Sequence, residues 1–276
     1  MMPDNSSLYD LSLGANDFAA WDGSPRRSLV ICSHPRSGST LLGEAIHFAG
    51  GLGCPLEYLH RGFRPTLAER WGAPDLDAYI AAMHRWRTDP SGTFSIKLFW
   101  QDVEEIAHER APDRFPPPRT LSPDSCDDAT YRAYQALLAD ILPSPTLVLL
   151  ERRDMVRQAV SAMIATQTGL WRAIPGVGRS EARAVADYDY DRILALVSFG
   201  RDSADHWTRY FQAIGARPHR VVYEDLVRDY SATVGALLAD LGRPGKAPPQ
   251  RMRRQSDGVG EAMVLRFLRE HATRGT

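Results

Sequence analysis

Residues 29–42, reading LVICSHPRSGSTLL, constrain the fold more than any other part of this chain. An apolar run over 28–33, bounded by polar residues, predicts a strand. A short polar loop follows. Leu41, Leu42, Ala45, Ile46 and Ala49 then recur at helical spacing and predict a helix that begins at Ser39 or Thr40. Gly50, Gly51 and Gly53 end it. A strand that runs through a tight loop into a helix is the building unit of a layered α/β fold.

The rest of the chain repeats that alternation. Apolar spacing and capping predict a helix over 75–87 with Asp75 as its cap, then a strand over 94–99 that contains Lys97. A helix over 128–141, the strongest strand at 146–150 and a helix reaching residue 167 come next. They are followed by a long helix within 187–215, a short strand at 220–223, a helix over 224–241 and a last helix over 258–271. The expected fold class is α/β and P-loop-like, with a central, mainly parallel sheet flanked by helices. Residues 1–27 read as a loosely held extension and 28–276 as a single domain. Pro112, Pro116, Pro117, Pro118 and Pro123 make 111–125 an irregular segment, expected to be an exposed, mobile loop. Ligands of such sheets bind beyond the carboxyl ends of the strands. Segments 34–40, 97–100 and 151–154 are therefore expected to converge.

Composition removes several classes of function. The net charge is −1, so no general attraction to nucleic acid or to a membrane surface is expected, and any anion site must come from local arginines. No window approaches the ~18 apolar residues of a membrane span. The start of the chain has no basic, apolar pattern of a signal peptide, which points to a cytoplasmic protein. The three cysteines, Cys32, Cys54 and Cys126, have neither disulfide nor zinc spacing, and no metal is expected.

The loop 34–40 carries the first chemical signal. Gly38 and Thr40 stand where a phosphate-binding loop has its second glycine and its Ser/Thr, but Ser39 replaces the lysine and Ser33 the first glycine. Successive backbone N–H groups at a helix N-terminus favour an anion. Ser37, Ser39 and Thr40 add hydroxyls, and Arg36 adds a guanidinium fork. Taken alone, the motif is equally compatible with a capped helix that binds nothing. The second signal is 147–161, LVLLERRDMVRQAVS, in which Arg152 and Arg153 leave a strand and Ser161 lies on the following helix. Two anion sites at neighbouring strand ends suit a ligand with two separated phosphate groups.

At this point the chain resembles the PAPS-dependent sulfotransferases, and within them the bacterial carbohydrate sulfotransferases of the Stf0 group. The resemblance rests on HPRSGSTLL, GCPLEY, IKLFW, ERRDMVRQAVS, TGLWR, VVYEDL and RQSD, which occur in the family's order across 29–257. It implies a sulfotransferase fold and transfer of the sulfuryl group of PAPS to a carbohydrate or glycolipid hydroxyl, with release of adenosine 3′,5′-bisphosphate and no metal. By the same resemblance Pro35, Arg36, Ser37, Gly38, Ser39 and Thr40 hold the 5′-phosphosulfate. Arg152 and Ser161 hold the 3′-phosphate, with Arg153 as a substitute and Arg254 closing from the basic loop. Glu57 matches the family's general base, which accepts the proton of the attacking hydroxyl. Lys97, with Arg36, would stabilise negative charge at the reacting group. Cys54, Trp100 and Trp171 are candidates to line the acceptor. Cys54 stands where the trehalose enzyme carries an acidic residue, so the resemblance leaves open whether trehalose itself is the acceptor. Members of the group form homodimers.

Two rival functions remain at this stage. A divergent P-loop kinase would need Mg²⁺ and prefer ATP, and Ser39 in the lysine position counts against it. A binding protein that has lost catalysis would hold 3′,5′-ADP and transfer nothing.

Overall fold

A computed structural model describes residues 10–171, 186–252 and 258–274. Four strands, β1 (Arg27–Ser33), β2 (Thr93–Phe99), β3 (Pro145–Glu151) and β4 (His219–Val222), form one sheet in the order β2-β1-β3-β4. Every pairing is parallel, with Ile31 opposite Lys97 and Val148. Parallel neighbours require crossover connections, and helices supply them here. The described helices are α1 (Ser39–Ala49), α2 (Arg64–Trp71), α3 (Leu76–Arg87), α4 (Trp100–Arg110), α5 (Asp128–Ala139), α6 (Met155–Thr168), α7 (Tyr190–Ala213), α8 (Tyr223–Arg228), α9 (Tyr230–Asp240) and α10 (Gly258–Arg274).

The sheet is apolar on both faces, as a layered parallel sheet must be. Val30, Cys32, Leu98 and Leu149 pack with residues of α3, α4, α5 and α7 on one side. Leu29, Ile31, Val148 and Leu150 pack under α1 and α9 on the other. A third cluster joins α6, α7 and α10 through Met163, Ile193 and Phe267. No helix among the described residues is long and apolar enough to cross a membrane.

Three expectations are corrected. The segment before β1 is held down from residue 10: Leu11 is buried, and the Phe18 and Trp21 N–H groups bond the carbonyls of Trp86 and Arg85. Its anchor is Arg87, buried at the end of α3, which pairs with Asp17 at 2.9 Å and donates to the Leu11 carbonyl at 2.6 Å. The predicted helix over 224–241 is two helices, because Asp229 leaves the helical region and caps α9 by accepting from the Ala232 N–H. The proline-rich segment is irregular but pinned. Phe115 is buried, its carbonyl meets His108 Nδ1 at 2.8 Å, and the Arg119 N–H donates to Glu104 at 3.0 Å. Helix α2 is an element that apolar spacing did not predict; of its residues only Leu67 is buried, so it has almost no apolar face to read.

Candidate active site

The turn from β1 into α1 builds an anion cradle. Gly38 is left-handed (φ 89°), and a Cβ there would sit 2.6 Å from the Tyr223 ring, so glycine is needed for both conformation and space. Arg36 is also left-handed (φ 66°), which turns its side chain away from the sheet axis toward α6. The Gln158 amide donates to the Pro35 carbonyl at 2.8 Å and fixes the loop from α6. The first-turn N–H groups of α1 have no acceptor within their own helix. Ser37 is buried, and its hydroxyl has no hydrogen-bond partner among the described residues. An orphaned hydroxyl beside a helix N-terminus fits an anionic ligand.

A second cationic group converges on this loop. Arg36 Nε donates to Ser161 Oγ at 3.0 Å, and Arg152 donates to the Arg36 carbonyl at 2.8 Å. The Arg152 guanidinium lies 4.5 Å from the centre of the Tyr223 ring. Burial, and then the charge of Arg152, lower Arg36 to about 10, so Arg36 remains cationic at neutral pH. Two like charges held this close favour an anion between them. Arg36, Arg152 and Ser161 are thus brought together, as their motifs predict. Arg153 is directed elsewhere: it reaches Asp225 at 3.4 Å, and its N–H donates to Glu224.

The third component enters from the edge of the sheet. Leu56 forms a parallel bridge to Ile96, and the Lys97 N–H donates to the Leu56 carbonyl at 2.9 Å. That register brings Glu57 over the end of β2, where its carboxylate meets Lys97 Nζ at 2.8 Å. Lys97 also donates to Thr40 Oγ1 at 3.4 Å. It runs beneath α1, where a Cβ on Gly43 would lie 3.4 Å from its Cδ. One buried cation therefore joins the carboxylate of Glu57 to the hydroxyl that opens α1. His60 stands next to this pair. Its Nδ1 accepts the Gly62 N–H at 3.0 Å, which leaves Nε2 to carry the hydrogen of the neutral ring.

The remaining predicted residues divide. Trp100 is buried in an aromatic cluster, stacked on His206 with centroids 4.8 Å apart and edge-on to Tyr131, Tyr134 and Trp207. It packs in the core among those rings. Cys54 is fully buried with its thiol 3.2 Å from Arg87, so it lies under the loop and not at its surface. Trp171 is half exposed, and its carbonyl accepts from Arg36 at 2.5 Å. Arg254 lies outside the described residues, as do 172–185. Tyr223 is the site residue that sequence reasoning missed. Its signal was present, since it follows a strand end in a sheet that binds at its strand ends. Among the described residues no cluster of three or more His, Cys, Asp or Glu could hold a metal ion.

The family model of the Stf0 sulphotransferases matches residues 28–270. The chain is a Stf0 sulfotransferase. This Stf0 sulfotransferase is 30% identical over 275 residues to the trehalose 2-sulfotransferase of Mycolicibacterium smegmatis, covering 89% of this chain and 96% of that protein. It is 28% identical over 269 residues to the trehalose 2-sulfotransferase of Mycobacterium tuberculosis, covering 88% and 95%. Among solved structures it is similar to the sulfotransferase domain from the curacin biosynthetic pathway, with 17% identity, a TM-score of 0.36 and coverage of 87% and 82%.

Proposed function

We propose that this sulfotransferase moves the sulfuryl group of PAPS to a hydroxyl of a sugar or glycolipid. The observation that carries the reading is the convergence of two cationic groups on one loop: Arg36 bonded to Ser161, and Arg152 bonded to the Arg36 backbone. PAPS has a 5′-phosphosulfate and a 3′-phosphate, and the two cationic groups at this loop support a reading in which each group has its own partner. Residues 35–40 would hold the first and Arg152 with Ser161 the second. When bound, the cofactor supplies an activated sulfuryl group.

The protein's own residues supply the rest. The acceptor hydroxyl is a weak nucleophile while it keeps its proton. The Glu57 carboxylate is the base within the site that takes that proton as the new S–O bond forms. Lys97 holds Glu57 in place through an ion pair at 2.8 Å. The same ammonium, which donates to Thr40, would stabilise the negative charge on the departing phosphate oxygen. Arg36 and the first N–H groups of α1 share that charge. A sugar acceptor is supported by the two trehalose 2-sulfotransferases, which match nearly the whole chain.

Purified protein incubated with sulfur-labelled PAPS and a panel of sugars and glycolipids should yield a labelled sulfate ester. Calorimetry should show 3′,5′-ADP binding without Mg²⁺. Absence of both 3′,5′-ADP binding and transfer would reject the reading.

A further inference from the structure

Arg119 is a cation that the mechanism above does not use. It lies in the proline-rich segment between α4 and α5 and is solvent-exposed. Its backbone is left-handed (φ 65°), a conformation that non-glycine residues keep only when their surroundings impose it. The surroundings do so here. Its N–H donates at 3.0 Å to Glu104, a buried carboxylate of α4. The segment is tied on one side by the bond between His108 and the Phe115 carbonyl, and on the other by the pair of Asp124 with Arg209.

This strained turn sets the guanidinium over the Phe199 ring of α7, 3.8 Å from its centre. Phe199 in turn meets His34 edge-on, with centroids 4.9 Å apart. His34 is the residue between β1 and the phosphate loop, so Arg119 is stationed at the carboxyl end of the sheet beside the candidate active site. Burial, and then the charge of Arg119, lower His34 to about 4, so the neighbouring ring is neutral at pH 7. The Nδ1 atom of His34 is buried and has no hydrogen-bond partner among the described residues. The Arg119 guanidinium makes no ion pair within 4.0 Å among the described residues; its charge acts on the Glu104 carboxylate at longer range, while that carboxylate accepts its backbone N–H. A guanidinium stacked flat on an aromatic ring keeps its N–H edges free for a planar or tetrahedral oxyanion.

We infer that Arg119 is an acceptor-binding residue that recognises an oxyanion, a carboxylate or phosphate, carried by the sugar acceptor. The inference rests on the sulfotransferase reading for its location at the acceptor side. It extends that reading from sugars in general to sugars bearing a negative group.

The test compares matched pairs: trehalose against trehalose 6-phosphate, and glucose against glucuronate. Binding is measured by calorimetry to the full chain, with and without saturating 3′,5′-ADP. The anionic member of at least one pair should bind about tenfold or more tightly than its neutral partner, the value of one charge-assisted contact. Arg119→Ala should remove that difference, and Arg119→Lys should restore part of it. In both variants 3′,5′-ADP should bind as in the unaltered protein. Equal binding, or none, of neutral and anionic members overturns the inference, as does a preference that survives Arg119→Ala. A loss of 3′,5′-ADP affinity in Arg119→Ala would assign the residue to the donor and also overturn it. If the unaltered protein fails to bind 3′,5′-ADP, the donor reading fails, while the sugar pairs alone still decide Arg119.

Discussion

Arg87 and Lys97 are both buried cations, at 0% and 1% exposure, and they have opposite uses. Arg87 is spent on structure. Its guanidinium takes Asp17, the carbonyls of Leu11 and Leu13 and the Cys54 thiol, and lies against the Tyr58 and Trp71 rings. Lys97 is joined to groups that face the chemistry, Glu57 and Thr40. Cys54 and Glu57 come from the same short loop yet fall to different cations, one below the surface and one above the end of β2. Burial of a charge therefore does not distinguish a scaffold residue from a site residue. The identity of its partners does.

This contrast can be broken most sharply at Glu57. Glu57→Gln should lower kcat by about 10²–10⁴-fold, the usual contribution of a general base, and leave the Kd for 3′,5′-ADP unchanged. Near-normal turnover in a labelled-sulfate assay would remove Glu57 from the reaction. Arg87→Met and Lys97→Met should each cost about 3–5 kcal/mol in urea unfolding, because Lys97→Met strands the buried Glu57 carboxylate and Arg87→Met strands the half-buried Asp17 and the Leu11 and Leu13 carbonyls. Only Lys97→Met should abolish turnover of the folded fraction; if Arg87→Met does so equally, the two cations are not separable. Gly38→Ala forces a side chain against Tyr223 in a left-handed backbone, at a cost of about 1–3 kcal/mol. Calorimetry should show that cost as weaker 3′,5′-ADP binding.

Glu104 tests the case of a buried acid that accepts a backbone N–H and has no cation within ion-pair distance among the described residues. Burial raises it from 4.5 to about 7, and the Arg119 N–H opposes that only in part. The unfolded chain ionises this group near 4.5 and the folded chain near 7, so its contribution to stability is present below pH 4.5 and lost as pH rises to 7. The loss should be on the order of 3 kcal/mol, and Glu104→Gln should flatten it in urea titrations across that range. The smallest effect is expected at Cys54→Ser: a stability loss of about 1 kcal/mol, with acceptor KM unchanged. A large change in acceptor KM would return Cys54 to the acceptor surface.

Much of the fold was legible because it is written locally. The β1 run, the α1 periodicity and the Asp75 cap each act over a few residues, and the structure places them where spacing predicts. Asp229 was not read as a break because the apolar pattern continues through it, while its backbone leaves the helical region and its side chain caps the next helix. The phosphate loop and Arg152 could be named from motifs, but not their mutual contact. What decided Trp100 and Cys54 was distant in sequence: Trp100 is stacked on His206, and Cys54 is covered by Arg87 and residue 11. Periodicity carries no information on such pairings. A tryptophan just after a strand reads the same whether it faces a ligand or five other rings.

The central position of β1 also governs the order of events during synthesis. β1 lies between β2 and β3, and the Arg36 carbonyl waits for a partner 116 residues further along the chain. At about 5–20 residues per second, the ribosome needs roughly 6–23 seconds to deliver Arg152 after Arg36 has been made. For that interval one edge of β1 and its cationic loop stand open on the nascent chain, so the cradle for the donor is completed long after its first half has been translated.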